Sequence, residues 1–145
     1  MKSPLEILQQ YFGYENFRLE QANAVKNVIS KKDTFVLMPT GGGKSLCYQV
    51  PALVLEGTTI VISPLIALMK DQVDALRVNG ISAAYINSSM SVYEQNDTFN
   101  QLKNGQLNLL YVAPEKLSAD NGAFLKLLND VNISLFAVDE AHCVS

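Results

Sequence analysis

The sequence is poor in the residues that build metal frameworks and disulfide scaffolds, with two cysteines and one histidine among 145 residues. Cys47 and Cys143 stand far apart, without Cys or His companions at metal-ligand spacing, so neither a disulfide framework nor a zinc site is expected. Long apolar runs are also lacking: none approaches the roughly 18 residues of a membrane-spanning helix. Met1-Lys2-Ser3-Pro4 carries no signal-like apolar stretch, so a cytoplasmic protein without membrane contact is expected. There is no cationic surplus either, with 11 Lys and Arg against 14 Asp and Glu and a net charge of -3. That balance argues against a self-sufficient nucleic-acid-binding domain, which needs basic residues to displace counterions from phosphates. Any contact with DNA must be local or shared.

What is present is an ordinary apolar content of 48% and a length suited to one domain. Ser3-Pro4-Leu5-Glu6 reads as a helix start, with Ser3 capping, Pro4 in the first turn and Glu6 closing a capping box. Leu19, Ala22, Val25 and Ile29 recur at helical spacing and predict a second amphipathic helix. Short apolar runs at Thr34–Met38, Thr58–Ile62, Ala83–Ile86, Leu107–Val112 and Ile133–Val138 predict buried strands. Between them, Ser45–Glu56, Leu65–Asn79, Val92–Lys103 and Ala119–Asn129 have helical pattern, the third capped by Ser91 with Glu94 three residues on. Pro51 is expected to kink the first of these. Strands joined by helices and buried on both faces imply a mainly parallel sheet in a three-layer α/β domain.

Met38-Pro39-Thr40-Gly41-Gly42-Gly43-Lys44-Ser45 follows an apolar strand and opens a helix, the context a P-loop requires. Consecutive glycines let several backbone N–H groups converge on one anion, and the helix adds the positive end of its dipole. Lys44 is expected to reach the β and γ phosphates and Ser45 to ligate magnesium. The general pattern has Gly where this chain has Met38. An ordinary glycine turn between strand and helix would not call for the Lys-Ser pair. Leu135 to Glu140 is an apolar strand ending in two carboxylates. Asp139 is expected to hold the metal, and Glu140 to orient or deprotonate the attacking water. Parallel sheets gather ligands at the carboxyl ends of their strands, so both halves fall on one edge.

Ala141-His142 completes Asp-Glu-Ala-His, and with it the chain resembles the first RecA-like domain of a RecQ-family DNA helicase, within helicase superfamily two. The resemblance rests on Phe12-Gly13-Tyr14 with Phe17-Arg18 and Gln21, on Met38 to Gln49, and on Ser63-Pro64-Leu65 through Met69-Lys70-Asp71-Gln72. It continues in Asn87-Ser88, Tyr111 to Leu117, and Ala137 to Ser145. Met38, which departs from the general P-loop, matches this family's version of it. The implied fold is a RecA-like P-loop domain, with residues 1–32 as a helical segment for adenine recognition. The implied activity is ATP-dependent, 3′-to-5′ DNA unwinding in repair or recombination, with ATP and Mg2+ bound and single-stranded or forked DNA as partner.

By that resemblance Tyr14 stacks on the base, Arg18 helps to hold it and Gln21 reads the adenine edge. From the residues alone, Tyr14 fits packing between two helices, Arg18 a surface charge and Gln21 a solvated helix position. Ser63, Pro64 and Leu65 are expected at a helix start, where backbone N–H groups could meet a DNA phosphate. The resemblance extends DNA contact to Asn87, Ser88, Pro114 and Glu115, each of which fits a plain connecting turn equally well. It assigns His142 to coupling between the triphosphate site and a DNA-responsive loop.

The chain reads as truncated after the Asp139 strand, without the second RecA-like domain that supplies an arginine finger in such enzymes. Similar domains insert a further strand between the Asp139 strand and the P-loop strand, so the sheet must either receive more chain or rearrange. Two other functions stay open. One is a module that binds ATP or a DNA phosphate without turnover; the other is a P-loop phosphotransferase, for which no acceptor pocket or lid is visible.

Overall fold

Five strands, β1 (Phe35–Met38), β2 (Thr58–Ile62), β3 (Ala83–Ile86), β4 (Leu109–Val112) and β5 (Ile133–Asp139), form one sheet in the order β1-β5-β2-β4-β3. Every neighbouring pair is parallel. This is a computed structural model, and it describes residues 2–18, 21–30, 35–38, 45–63, 66–87, 89–118 and 122–139, with backbone alone at 35–38 and 139.

Period-two alternation sends neighbouring side chains to opposite faces, and both faces are apolar. Val61, Leu109, Tyr111, Leu135 and Ala137 face α3 (Leu46–Val54) and α4 (Ile66–Val78). Ile60, Ile62, Leu110 and Val112 face α5 (Val92–Lys103) and α7 (Ala123–Leu128). The expected three-layer α/β architecture is therefore the one observed. The polar side chains within the sheet are paired: Thr59 Oγ1 lies 2.9 Å from Ser134 Oγ, and Thr58 Oγ1 donates to the Leu107 carbonyl at 2.8 Å.

Ser3 closes the expected capping box on α1 (Pro4–Ile7): its Oγ accepts from Glu6 N–H at 3.2 Å while Glu6 Oε1 accepts from Ser3 N–H at 3.1 Å. The same device starts α5, with Ser91 and Glu94. α1 runs on into a π-helical turn, Leu8–Phe12, which Gly13 ends at φ 75°. Ile7 and Leu8 pack with Val25 of α2 (Gln21–Ser30) and Val50 of α3, so the amino-terminal helices are anchored on the helix that follows the glycine-rich segment.

Several expectations are corrected. The apolar stripe of α2 buries Val25 and Val28, whereas Ala22 is exposed and Leu19 lies outside the described residues. β4 starts at Leu109, two residues later than expected, and the Leu107 carbonyl before it accepts from Thr58 Oγ1. α3 continues through Pro51 and stops at Val54, where Leu55 turns extended at ψ 148°. Of the helix expected at 119–129, residues 119–121 lie outside the described residues, Gly122 is left-handed at φ 77°, and α7 follows it and ends at Leu128. A short helix that the pattern did not announce, α6 (Pro114–Ser118), stands where a turn was expected. Pro114 pre-sets the backbone for its first position. No strand lies between β1 and β5 among the described residues; they pair directly, through Phe35↔Phe136 to Met38↔Asp139.

Candidate functional site

Parallel pairing throughout brings the carboxyl ends of all five strands to one edge. At that edge Met38, the last residue of β1, is the register partner of Asp139, the last residue of β5. Adjacent strands lie about 4.8 Å apart, so the chain enters the glycine-rich segment beside the strand that ends in the acidic pair. Thr40, Gly41, Gly42, Gly43 and Lys44 lie outside the described residues, as do Glu140 and His142.

Ser45, where the chain leaves that segment, is half-buried at the amino terminus of α3. Its carbonyl accepts from Tyr48 N–H at 3.2 Å and from Gln49 N–H at 2.9 Å, whereas its hydroxyl does not cap the helix. By residue type, a serine hydroxyl and an aspartate carboxylate are hard oxygen donors, the kind Mg2+ takes alongside phosphate and water. The residues present therefore fit that ion.

The adenine-recognition candidates occupy the segment after the π-helical turn. Tyr14 is 53% exposed, which excludes packing between two helices, and follows left-handed Gly13. Gln9 Nε2 donates to the Glu15 carbonyl at 3.0 Å and ties this loop to the turn. Arg18 and Gln21 are locked together: Arg18 N–H donates to Gln21 Oε1 at 2.8 Å, and Gln21 N–H to the Arg18 carbonyl at 2.9 Å.

The DNA-contact candidates fall at neighbouring strand ends, but they differ in what they expose. Ser63 is buried after β2 and gives its N–H to the Val112 carbonyl at 3.0 Å, so that amide is committed to the sheet and not to a phosphate. Asn87, after β3, is also buried; its Oδ1 accepts from both N–H and Oγ of Ser89 and shapes the turn that leads to α5. Pro114 and Glu115 form the first turn of α6, Pro114 half-buried and Glu115 exposed. Pro64, Leu65 and Ser88 lie outside the described residues. Lys116, one residue on, is buried, donates from Nζ to Gln95 Oε1 at 2.7 Å and lies 5.7 Å from the centroid of the Phe99 ring. It links α6 to α5, and so links two of the candidate loops.

Tyr48, Gln49, Gln72 and Tyr111 lie in the segments that carry the family resemblance but were given no role from the sequence; they are joined by hydrogen bonds inside the core. The available signal was a tyrosine in an otherwise aliphatic strand and a Tyr-Gln pair one turn into a buried helix. Lys70 pairs on the surface with Asp74 at 3.1 Å, and the hydrogen bond to Asp74 raises its pKa. Concavities lined by Leu128, Asn132 and Ile133, and by Gly80, Ile81 and Leu107, open at the amino ends of the strands, opposite the edge that carries the candidate residues. Shape alone therefore points away from the chemistry; the register and the residue types outweigh it. No helix among the described residues is long and apolar enough to cross a membrane.

The DEAD/DEAH box helicase family matches the chain over residues 18–145. A Bacillus subtilis protein named ATP-dependent DNA helicase RecQ is 54% identical over 140 residues, 96% of this chain and 23% of its own length. The protein of the same name from Pasteurella multocida is 50% identical over 99% of this chain and 22% of its own length. ATP-dependent helicase SGS1 of Saccharomyces cerevisiae is 48% identical over 95% of this chain and 10% of its own length. The chain thus spans less than a quarter of each of these relatives.

Proposed function

The chain belongs to the DEAD/DEAH box helicase family, in its RecQ branch, and from that premise we propose that it forms the amino-terminal part of the first RecA-like domain of an ATP-dependent DNA helicase. In this reading it binds Mg-ATP at the carboxyl edge of the sheet and offers neighbouring strand ends to single-stranded or forked DNA. The observation that carries it is the Met38–Asp139 register, with Ser45 opening α3 on the same chain segment.

The chemistry follows from the residue types. Lys44 places a cation on the β and γ phosphates, and backbone N–H groups of the glycine-rich segment hold the anion. Ser45 and Asp139 would hold Mg2+, which when bound neutralises charge on the phosphate oxygens. Glu140 orients a water for in-line attack on the γ phosphorus and accepts its proton, while the bond to the β,γ-bridging oxygen breaks and ADP leaves. Tyr14 covers one face of the adenine, and Gln21 with Arg18 borders its edge. His142 relays the state of the triphosphate site to the DNA side. An arginine finger from a second RecA-like domain completes such sites and is worth about 10³ to 10⁵ in rate. In this reading the chain contributes the nucleotide-binding part of such a site and works in the cytoplasm as part of the DNA-processing machinery.

Titration calorimetry of Mg-ATP against the chain, with Lys44→Ala as control, tests the reading. Saturable binding that the variant loses supports it; binding that survives Lys44→Ala, or none by a folded chain, overturns it. Hydrolysis stimulated by single-stranded DNA, and not by a small metabolite, separates a helicase domain from a phosphotransferase.

A further inference from the structure

Four polar side chains from three elements form a directional hydrogen-bonded chain inside the first apolar layer. Gln49 Nε2 donates to Tyr111 Oη at 3.0 Å, Tyr111 Oη and Tyr48 Oη are 3.1 Å apart, and Tyr48 Oη donates to Gln72 Oε1 at 2.8 Å. A tyrosine hydroxyl carries one proton. Tyr48 sends its proton to Gln72, so the proton between the two hydroxyls is that of Tyr111. The chain runs one way, from Gln49 through Tyr111 and Tyr48 to Gln72. Both tyrosines are fully buried and Gln49 is nearly so, and the rings meet edge to face with centroids 6.2 Å apart.

Each end of this chain is tied to a different part of the carboxyl edge. Tyr48 and Gln49 are also the residues whose backbone N–H groups hold the Ser45 carbonyl. Tyr111 stands on β4 immediately before Val112, whose carbonyl takes the Ser63 N–H. Two residues beyond Tyr111, Ala113 donates its N–H to the Ile86 carbonyl at 3.2 Å and accepts from Lys116 N–H at 3.0 Å. Gln72 sits on α4, the helix that follows Ser63-Pro64-Leu65. Aliphatic side chains could hold these elements together equally well, but they would not prescribe one relative position. A buried chain of hydrogen bonds does, because each link is directional and sliding any member breaks it in a low-dielectric interior.

We propose that Tyr48, Gln49, Gln72 and Tyr111 are positioning residues that couple the phosphate site to the strand ends facing DNA. Holding Ser45 in place sets α3, and the hydrogen-bonded chain sets β4 and α4 with it. The proposal rests on the function given above, and coupling of this kind is reciprocal between the two ligands.

The test is the dissociation constant of Mg-ATP for the 145-residue chain, measured by calorimetry with and without saturating oligothymidylate. Wild type shows a ratio of about 5 or more, the lower end for coupled sites. Tyr111→Phe keeps the ring and removes the two links that its hydroxyl makes, to Gln49 and to Tyr48; it brings the ratio to about 1 and leaves the DNA-free constant within about 2-fold. Gln72→Met, altered at the half-buried end, does the same and serves if Tyr111→Phe does not fold. Thr59→Val removes a different buried hydroxyl of the same sheet; it lowers the melting temperature and keeps the ratio. A ratio unchanged in Tyr111→Phe and Gln72→Met overturns the coupling and leaves the nucleotide site standing. So does a ratio lost equally in Thr59→Val, or a wild type that binds Mg-ATP indifferently to DNA. A folded wild type that does not bind Mg-ATP overturns the functional reading and this proposal together.

Discussion

Met38 and Asp139 are register partners across the parallel β1–β5 pair, although a hundred residues separate them in sequence. Their pairing brings the end of β1, from which the chain enters the glycine-rich segment, beside the end of β5, and on the proposed function the two halves fail separately. In Lys44→Ala the loss of charge-assisted bonds worth about 1.5–3 kcal/mol weakens Mg-ATP binding about 10- to 100-fold. In Asp139→Asn the affinity measured in Mg2+ falls to that measured in EDTA. Calorimetry with and without chelator distinguishes the two; an Asp139→Asn chain that still responds to Mg2+ places the metal ligand elsewhere.

Tyr14 stands exposed after left-handed Gly13, on a loop that Gln9 ties down. If it stacks on adenine, Tyr14→Ala loses about 1–3 kcal/mol, the range for a base on an aromatic ring. Affinity for inorganic tripolyphosphate, which has no base, stays unchanged. Equal losses for both ligands would reassign Tyr14 to the shape of the loop.

Gly57 has φ 103°, and a Cβ added there would sit 2.5 Å from the Asn132 carbonyl oxygen. That carbonyl accepts the Thr58 N–H at 2.9 Å, at the point where β2 begins pairing with β5. Gly57→Ala therefore costs more than about 1 kcal/mol and lowers the melting temperature by at least about 3 °C. Gly80→Ala, also at positive φ but with open space around the added carbon, feels only the backbone strain and loses less. Thermal melts of the pair measure the steric part.

The backbone N–H of Ser3, and after it the Ser3 hydroxyl, holds the Glu6 carboxyl below its ordinary pKa. A depressed folded-state pKa contributes stability that is complete above the unfolded value and is lost as pH falls through the folded one. The α1 cap is thus expected to weaken only on the acid side. Glu6→Gln lowers the melting temperature at neutral and alkaline pH, and its difference from wild type vanishes as the pH falls through the folded-state pKa of Glu6, as melts across pH can show.

Local chemistry made much of this protein legible from its sequence. Ser3 with Glu6 and Ser91 with Glu94 specify their helix starts because donor and acceptor lie within one turn of each other. The apolar runs announced five buried strands because a strand covered on both faces needs no polar side, and the order of the elements implied parallel pairing. The roles proposed for Lys44, Ser45 and Asp139 come from the same kind of local signal, short segments whose residue types suggest a chemistry.

Only the tertiary structure decided which strands touch. β1 sits directly on β5 because of contacts between residues about a hundred positions apart, which no local pattern encodes. The commitment of the Ser63 N–H to Val112 and the burial of Asn87 likewise depend on β4 and on the turn beyond β3. The chain from Gln49 to Gln72 brings together residues from α3, β4 and α4 whose polar groups looked unrelated in sequence. A hydrogen bond inside a core exists only once packing has excluded water and aligned both partners, and that alignment belongs to the folded whole.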